Sequence, residues 1–202
     1  MSRRLIVIVD YGVGNLASVM GAVHRAGHRA LVSRRPDTLA SADLLILPGV
    51  GAYRAAMDSL RRHDLVEMIR HQVTGGKPLL GICLGMQLLA ESSLENGYSD
   101  GLGLIPGTVE PHPAGLRHIG WNHLQVRPDI SWVAGLDDDL FYFNHSYYFR
   151  ASDRDQVAMA FHGGPFAAAV QRDHIVGVQF HPEKSQGAGD RLMTRLIEDM
   201  TA

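Results

Sequence analysis

Three observations on this 202-residue sequence predict an α/β fold with an open, mostly parallel central sheet, helices on both faces and an antiparallel C-terminal extension. Strand-length runs such as Leu5 to Val9 and Asp43 to Leu47 are apolar almost throughout, the mark of strands buried on both faces. These runs alternate with helix-patterned segments, as parallel strands joined by crossover helices require. From Gly101 onward the pattern changes to short strands separated by turn residues, which indicates antiparallel pairing.

Leu5 to Val9 is the first strand and Asp10-Tyr11-Gly12-Val13-Gly14-Asn15 its turn. Leu16, Val19, Met20 and Val23 recur at three and four, so a helix runs from Asn15 or Leu16 to Ala26, with Gly27 as its stop. A strand near Arg29 to Val32 and a buried one over Asp43 to Leu47 come next, and Pro48-Gly49-Val50-Gly51 is a loop rich in exposed N–H groups. A helical stretch from Ala52 is interrupted near His63-Asp64 and resumes to Val73; Gly75-Gly76-Lys77-Pro78 is a turn. The next apolar run ends at Cys83, with helix-patterned residues over Met86 to Ala90. In the second half, strands are expected at Thr108 to Glu110, His123 to Val126, Phe141 to Phe143, Val157 to Phe161, Phe166 to Gln171 and Ile175 to Phe180. Gly187 to Met200, with Leu192, Leu196 and Ile197 on one side, closes the chain as a helix packed back on the sheet.

The length suits one domain over residues 1–202. A formal charge of −2, with no basic run longer than a pair, leaves no electrostatic footprint for nucleic acid or an anionic membrane. The charged start and apolar run at Met1 to Val9 resemble a signal peptide, but the run stops at Asp10 after five residues and is read as a strand. One cysteine allows no internal disulfide and fits a reducing compartment, so a cytoplasmic location is expected. Gly12 and Gly14 give only part of a dinucleotide fingerprint, because position 17 is Ala17 and no acidic residue follows at the required distance.

Chemistry concentrates on Gly81-Ile82-Cys83-Leu84-Gly85. A lone cysteine is by default a small buried apolar residue. Here it stands where a strand turns into a helix between two glycines, the pattern of a nucleophile elbow with sulfur in place of oxygen. N–H groups of the following helix favour a thiolate and can receive a developing oxyanion. Among 11 histidines, His181 is singled out by Gln179-Phe180-His181-Pro182-Glu183. If that segment is extended, residues two apart face one way, so Glu183 can hold one ring nitrogen of His181 while the other faces Cys83.

These residues resemble the class I, or triad, glutamine amidotransferases, and the likeness covers nearly the whole chain. Within that class the closest likeness is to the glutaminase subunits of imidazole glycerol phosphate synthase. It is carried by Asp10 to Leu16, Leu47 to Ala52, Gly81 to Leu89, Gly101 to Gly107, Gly120-Trp121-Asn122, His145 to Tyr148 and Gln179 to Ser185. The resemblance implies a flavodoxin-like fold, glutamine hydrolysis by Cys83, His181 and Glu183, and an oxyanion hole from backbone N–H groups of Gly49, Val50, Gly51 and Leu84. It implies glutamine contacts at Gln87, Glu95, Ser146 and Tyr147, with Gln87 one helical turn beyond Cys83. No cofactor or metal is expected. Ammonia needs a shielded second site, and the chain has no room for a (β/α)₈ cyclase of roughly 250 residues. The implied partner is therefore the cyclase subunit of the synthase, in a heterodimer, with Asn15, Trp121, Asn122, Tyr142 and Lys184 as candidate docking residues. Two other readings stay open on the residues: an amidotransferase subunit for another synthase, and a catalytically silent assembly module. Three positions depart from the family pattern. Arg117-His118-Ile119 replaces the usual proline, histidine, methionine, Asn144 stands where an apolar residue is common, and Tyr53 replaces phenylalanine. All three are expected to bear on docking rather than on the triad.

Overall fold

The chain was described in a computed structural model covering residues 3–112, 115 and 117–202; the first two residues of the signal-like N-terminal run, Met1 and Ser2, lie outside the described residues. The first half runs β1 (Leu5–Val9), α1 (Leu16–Arg25), β2 (Arg29–Ser33), α2 (Pro36–Ala40), β3 (Leu44–Gly49), α3 (Tyr53–Arg62), α4 (Leu65–Thr74), β4 (Leu79–Cys83) and α5 (Leu84–Leu88). Short strands follow: β5 (Ser92–Ser93), β6 (Ser99–Asp100), β7 (Gly107–Pro111), β8 (His118–Asn122) and β9 (Gln125–Val126). The chain ends with β10 (Phe141–His145), β11 (Tyr147–Ala151), β12 (Gln156–Phe161), β13 (Pro165–Arg172), β14 (Ile175–Val178) and α6 (Gln186–Met200).

The main sheet has the order β2-β1-β3-β4-β14-β13-β12-β9. Pairing is parallel from β2 through β14 and antiparallel from there to β9. The sequence expectation of a parallel core with an antiparallel extension therefore holds. Alternate residues of β1 enter two separate cores. Ile6 and Ile8 pack with Val19 and Val23 of α1 and Leu192 and Leu196 of α6. Val7 and Val9 pack with Met57 and Leu60 of α3, Ile69 of α4 and Phe149 of β11. Burying both faces is why the strand reads as a continuous apolar run.

Several elements differ from the sequence expectation. α2 was not foreseen: five residues are too few for a 3.6-residue pattern, although Pro36 at its start and Asp37 in its first turn are helix-start signals. The expected loop at Pro48 is strand for two more residues, since Pro48 pairs with Ile82 and Gly49 with Cys83. Proline is tolerated because Pro48 lies beyond Ile46, the last residue paired with β1. α5 begins directly after the thiol and ends at Leu88, not Ala90; the N–H groups of Leu102, Leu104 and Gly103 take the carbonyls of Leu88, Leu89 and Ala90. The strand expected over His123 to Val126 shrinks to β9, while β8 and β11 appear where none was expected. β8 pairs with β10 in a two-stranded ribbon, and β11 with β7 in another sheet, so the chain changes sheet at Ser146.

Candidate functional site

Strands β3, β4 and β14 run parallel, and their C-terminal ends deliver one cluster of side chains. Cys83 terminates β4 with φ 55° and ψ −111°, a conformation that costs a non-glycine residue about 1–3 kcal/mol. The flanking glycines hold it there. A Cβ at Gly81 would lie 2.7 Å from the carbonyl oxygen of Gly85, and one at Gly85 would overlap the carbonyl oxygen of Leu47. Cys83 is buried, with its sulfur 3.9 Å from the carbonyl oxygen of Asn144 and 3.8 Å from the Nε2 donor of Gln179. With only five residues, α5 offers the thiol the free N–H groups of one turn rather than a long helix dipole.

His181 follows β14, and its backbone is fixed by β10: its N–H donates to the Tyr142 carbonyl at 2.8 Å, while Ser185 Oγ donates to the His181 carbonyl at 2.6 Å. Nδ1 of His181 and Oε1 of Glu183 are 2.8 Å apart, with both side chains almost fully enclosed. The extended geometry expected for this pair is corrected: Pro182–Lys184 is a 3-10 turn, and Glu183 reaches the ring by curling back beneath it. Burial works against a charged ring, but hydrogen bonds and opposite charge from Cys83 and Glu183 outweigh it and push the His181 pKa up to about 9. The raised pKa favours a protonated imidazole, held through Nδ1 by the Glu183 carboxylate in the cavity that Cys83 also lines.

Cys83 and His181 open into a cavity of about 210 Å³. Of the expected oxyanion residues, Val50, Gly51 and Leu84 line it. Gly49 does not; it is paired opposite Cys83 and packed so that a Cβ would meet Leu84, Gly85 and the hydroxyl of Tyr11. The Tyr11 hydroxyl donates to the Pro48 carbonyl at 2.7 Å, which fixes the peptide plane entering the loop. Burial, and next the charge at Cys83, push the Tyr11 phenol above its usual range.

All four expected glutamine contacts line the cavity: Gln87, Glu95, Ser146 and Tyr147. Gln87 Nε2 donates to the Tyr147 carbonyl at 2.9 Å and to Gln179 Oε1 at 3.0 Å. Glu95 Oε2 accepts the Tyr53 N–H at 2.9 Å, leaving its other oxygen free of that bond. Of the docking candidates, Lys184 lines the cavity, Trp121 is 45% exposed with its ring edge-on to Tyr142, Asn15 caps α1, and Asn122 donates to the Phe161 carbonyl.

Three site residues escaped the sequence reading. Gln179 touches the sulfur, and the same two-residue spacing that picked out Glu183 would have found it one step back. Arg117 and Asn144 line the cavity and are hydrogen-bonded to each other. This corrects the expectation that these departures lie away from the chemistry, because β8 pairs with β10 at the cavity rim. A wider depression of about 510 Å³ by α3 and α4 holds no nucleophile, and its Arg61 and Arg70 are already bonded to backbone carbonyls and to Asp58 and Glu67.

Comparison with known proteins agrees with this geometry. The family model for glutamine amidotransferase class-I matches residues 7–198. The chain is 45% identical over 198 residues to the imidazole glycerol phosphate synthase subunit HisH of Streptococcus gordonii, covering 96% of each. It is 43% identical to the subunit of the same name in Methanothermobacter thermautotrophicus, over 98% of this chain and 100% of the relative. Among solved structures, PurLQS from Thermotoga maritima aligns with a TM-score of 0.78 at 19% identity, covering 98% of this chain and 99% of that one, a likeness of fold alone.

Proposed function

The chain belongs to the class I glutamine amidotransferase family, and we propose that Cys83, His181 and Glu183 are the triad that performs its chemistry. It is a glutaminase subunit of imidazole glycerol phosphate synthase, as its near-full-length likeness to HisH subunits of bacteria and an archaeon supports. The observation that carries the catalytic reading is the His181–Glu183 bond of 2.8 Å behind a cysteine held at a strained strand end.

The Cys83 thiolate attacks the side-chain amide carbon of glutamine, and the carbonyl oxygen becomes an oxyanion. The donors are the N–H groups of Val50, Gly51 and Leu84, which line the cavity, and losing one such donor would cost about 3 kcal/mol of transition-state stabilisation. Collapse breaks the C–N bond, with His181 giving its proton to the departing ammonia. The neutral ring then takes a proton from water, whose oxygen attacks the thioester and releases glutamate and the thiolate. Glu183 keeps Nε2 of the ring toward the sulfur throughout. Gln87, Glu95, Ser146 and Tyr147 hold the substrate, and no cofactor or metal takes part.

Ammonia is mostly protonated at neutral pH, so it must pass to a second active site without meeting bulk water. The partner is a cyclase subunit of (β/α)₈ type, with which the chain forms a heterodimer that makes imidazole glycerol phosphate and an aminoimidazole carboxamide ribotide in histidine biosynthesis. The exposed Trp121 with Tyr142 beneath it is a suitable anchor, flanked by Asn122, Lys184 and Asn15. The whole chain, 1–202, acts as one domain, in the cytoplasm. Among the described residues no helix is long and apolar enough to cross a membrane.

The test is Cys83→Ala in complex with the cyclase. Glutamine-dependent synthesis should disappear while ammonia-dependent synthesis persists; equal loss of both would remove the assignment. A thiol that resists a glutamine-mimicking electrophile at pH 7 with the partner present would favour a silent module instead.

A further inference from the structure

The cavity holds a cation that the triad chemistry does not use. Arg117, just before β8, lines it, and its Nη2 donates to Asn144 Oδ1 at 3.1 Å. The place of this pair is set by the ribbon, in which Ile119 lies opposite Asn144. Asn144 in turn stands against the nucleophile, since its backbone oxygen is 3.9 Å from Cys83 Sγ. A guanidinium offers five N–H donors in a fixed plane, and among the described residues Asn144 takes only one. The cavity also contains Glu95, whose Oε1 is not the oxygen engaged by Tyr53.

Glutamine carries one positive and one negative group on its α-carbon, so a selective site needs a partner for each. Glu95 suits the ammonium. We propose that Arg117 binds the α-carboxylate of glutamine through its remaining donors, with Asn144 as the positioning residue that aims the guanidinium into the cavity. The proposal rests on the catalytic reading above. Lys184, the other cationic side chain on the cavity wall apart from the His181 ring, sits on the turn that carries Glu183. Its ammonium is a single point of charge, whereas the guanidinium plane matches both carboxylate oxygens. The two residues that depart from the family pattern at this rim thereby act as one unit: one supplies the fork and the other holds it.

The experiment uses the full chain bound to its cyclase subunit with the ribonucleotide present, and compares glutamine with 4-aminobutanamide, which keeps the amide and the amine but lacks the carboxylate. Arg117→Ala should raise KM for glutamine about tenfold with kcat within twofold, and leave kcat/KM for 4-aminobutanamide unchanged. Arg117→Lys should recover part of the loss, and Asn144→Leu should raise KM severalfold by freeing the side chain. Affinity for the cyclase should stay as in the wild type. Equal losses on both substrates, an unchanged glutamine KM, or weakened cyclase binding with normal KM would each overturn the proposal, as would Lys184→Met giving the carboxylate-specific loss instead. A wild-type complex that hydrolyses no glutamine would overturn the triad reading and this one with it. An active wild type with an indifferent Arg117→Ala would overturn this one alone.

Discussion

Gln179→Leu is the most direct probe of how the sulfur is held ready. The wild-type amide donates to Cys83 Sγ at 3.8 Å and accepts from Gln87 Nε2 at 3.0 Å, in a fully buried position. Leucine is close in volume, so the cavity left behind is small, and Gln87 keeps its bond to the Tyr147 carbonyl. A net hydrogen bond to a charged group contributes about 1.5–3 kcal/mol, and the long contact to sulfur argues for the low end, about 1.5 kcal/mol. That corresponds to a roughly tenfold slower attack by the sulfur.

The assay is the rate of alkylation by iodoacetamide at pH 7. The variant should react about tenfold more slowly than the wild type. Glutaminase kcat/KM should fall by a similar factor. Gln87→Leu, which does not touch the sulfur, should slow alkylation much less. Equal alkylation rates would show that the amide does not act on the thiol, and a lower urea midpoint alongside the lost reactivity would point to damage of the elbow instead.

Other consequences can be checked by denaturation. Gly85→Ala should lower stability by about 3 kcal/mol, because its Cβ meets the backbone of β3, whereas Gly27→Ala, with φ 87° and open space around it, should cost about 1 kcal/mol; equal urea midpoints would remove the steric argument. Tyr53→Phe should raise the unfolding free energy by about 1 kcal/mol, since the Tyr53 hydroxyl is buried with no hydrogen-bond partner among the described residues; a lower value would mean that the hydroxyl is satisfied. Burial is the main cause that lowers His118 to about 4 and His145 to about 3, helped by the adjacent imidazoles of His112 and His162. Both rings stay neutral in the fold while the unfolded chain takes up protons below about pH 6.5, so stability present above that pH falls as the solution is acidified, by on the order of 2 kcal/mol per ring at pH 5. A His118→Gln variant should show a shallower loss between pH 7 and 5, and an identical slope would exclude the cluster as its source.

Much of this architecture is legible in the residues because the physics is local. β1 and β4 read correctly since both of their faces are apolar, and α1 matched because Asn15 caps it and Gly27 turns the chain out of it. β8 and β11 were hidden because each is half solvent-facing, and the first is broken by Gly120 at φ 139°, so neither shows an apolar run. The pairing of His181 with Glu183 was legible through spacing, and the corner at Cys83 through its flanking glycines. Arg117 and Asn144 were not, because their meeting depends on the β8–β10 ladder, which joins residues 27 positions apart.

The strand order explains why the chemistry sits where it does. In an open parallel sheet, the space beyond the carboxyl ends of the strands is where loops can converge without crossing the core. β3 and β14 are the two neighbours of β4, so the loop after β3 and the turn after β14 must flank whatever β4 delivers. β4 delivers sulfur, β3 the backbone of Val50 and Gly51, and β14 first Gln179 and then His181. Tyr11, leaving β1 on the far side of β3, reaches under β3 to hold Pro48. The proposed nucleophile, oxyanion donors and base thus come from three adjacent strands. On this basis a substitution that shifts β14 against β4, such as filling the space at Gly177 beside Met86, should misplace His181 relative to Cys83 and impair turnover more than it impairs folding.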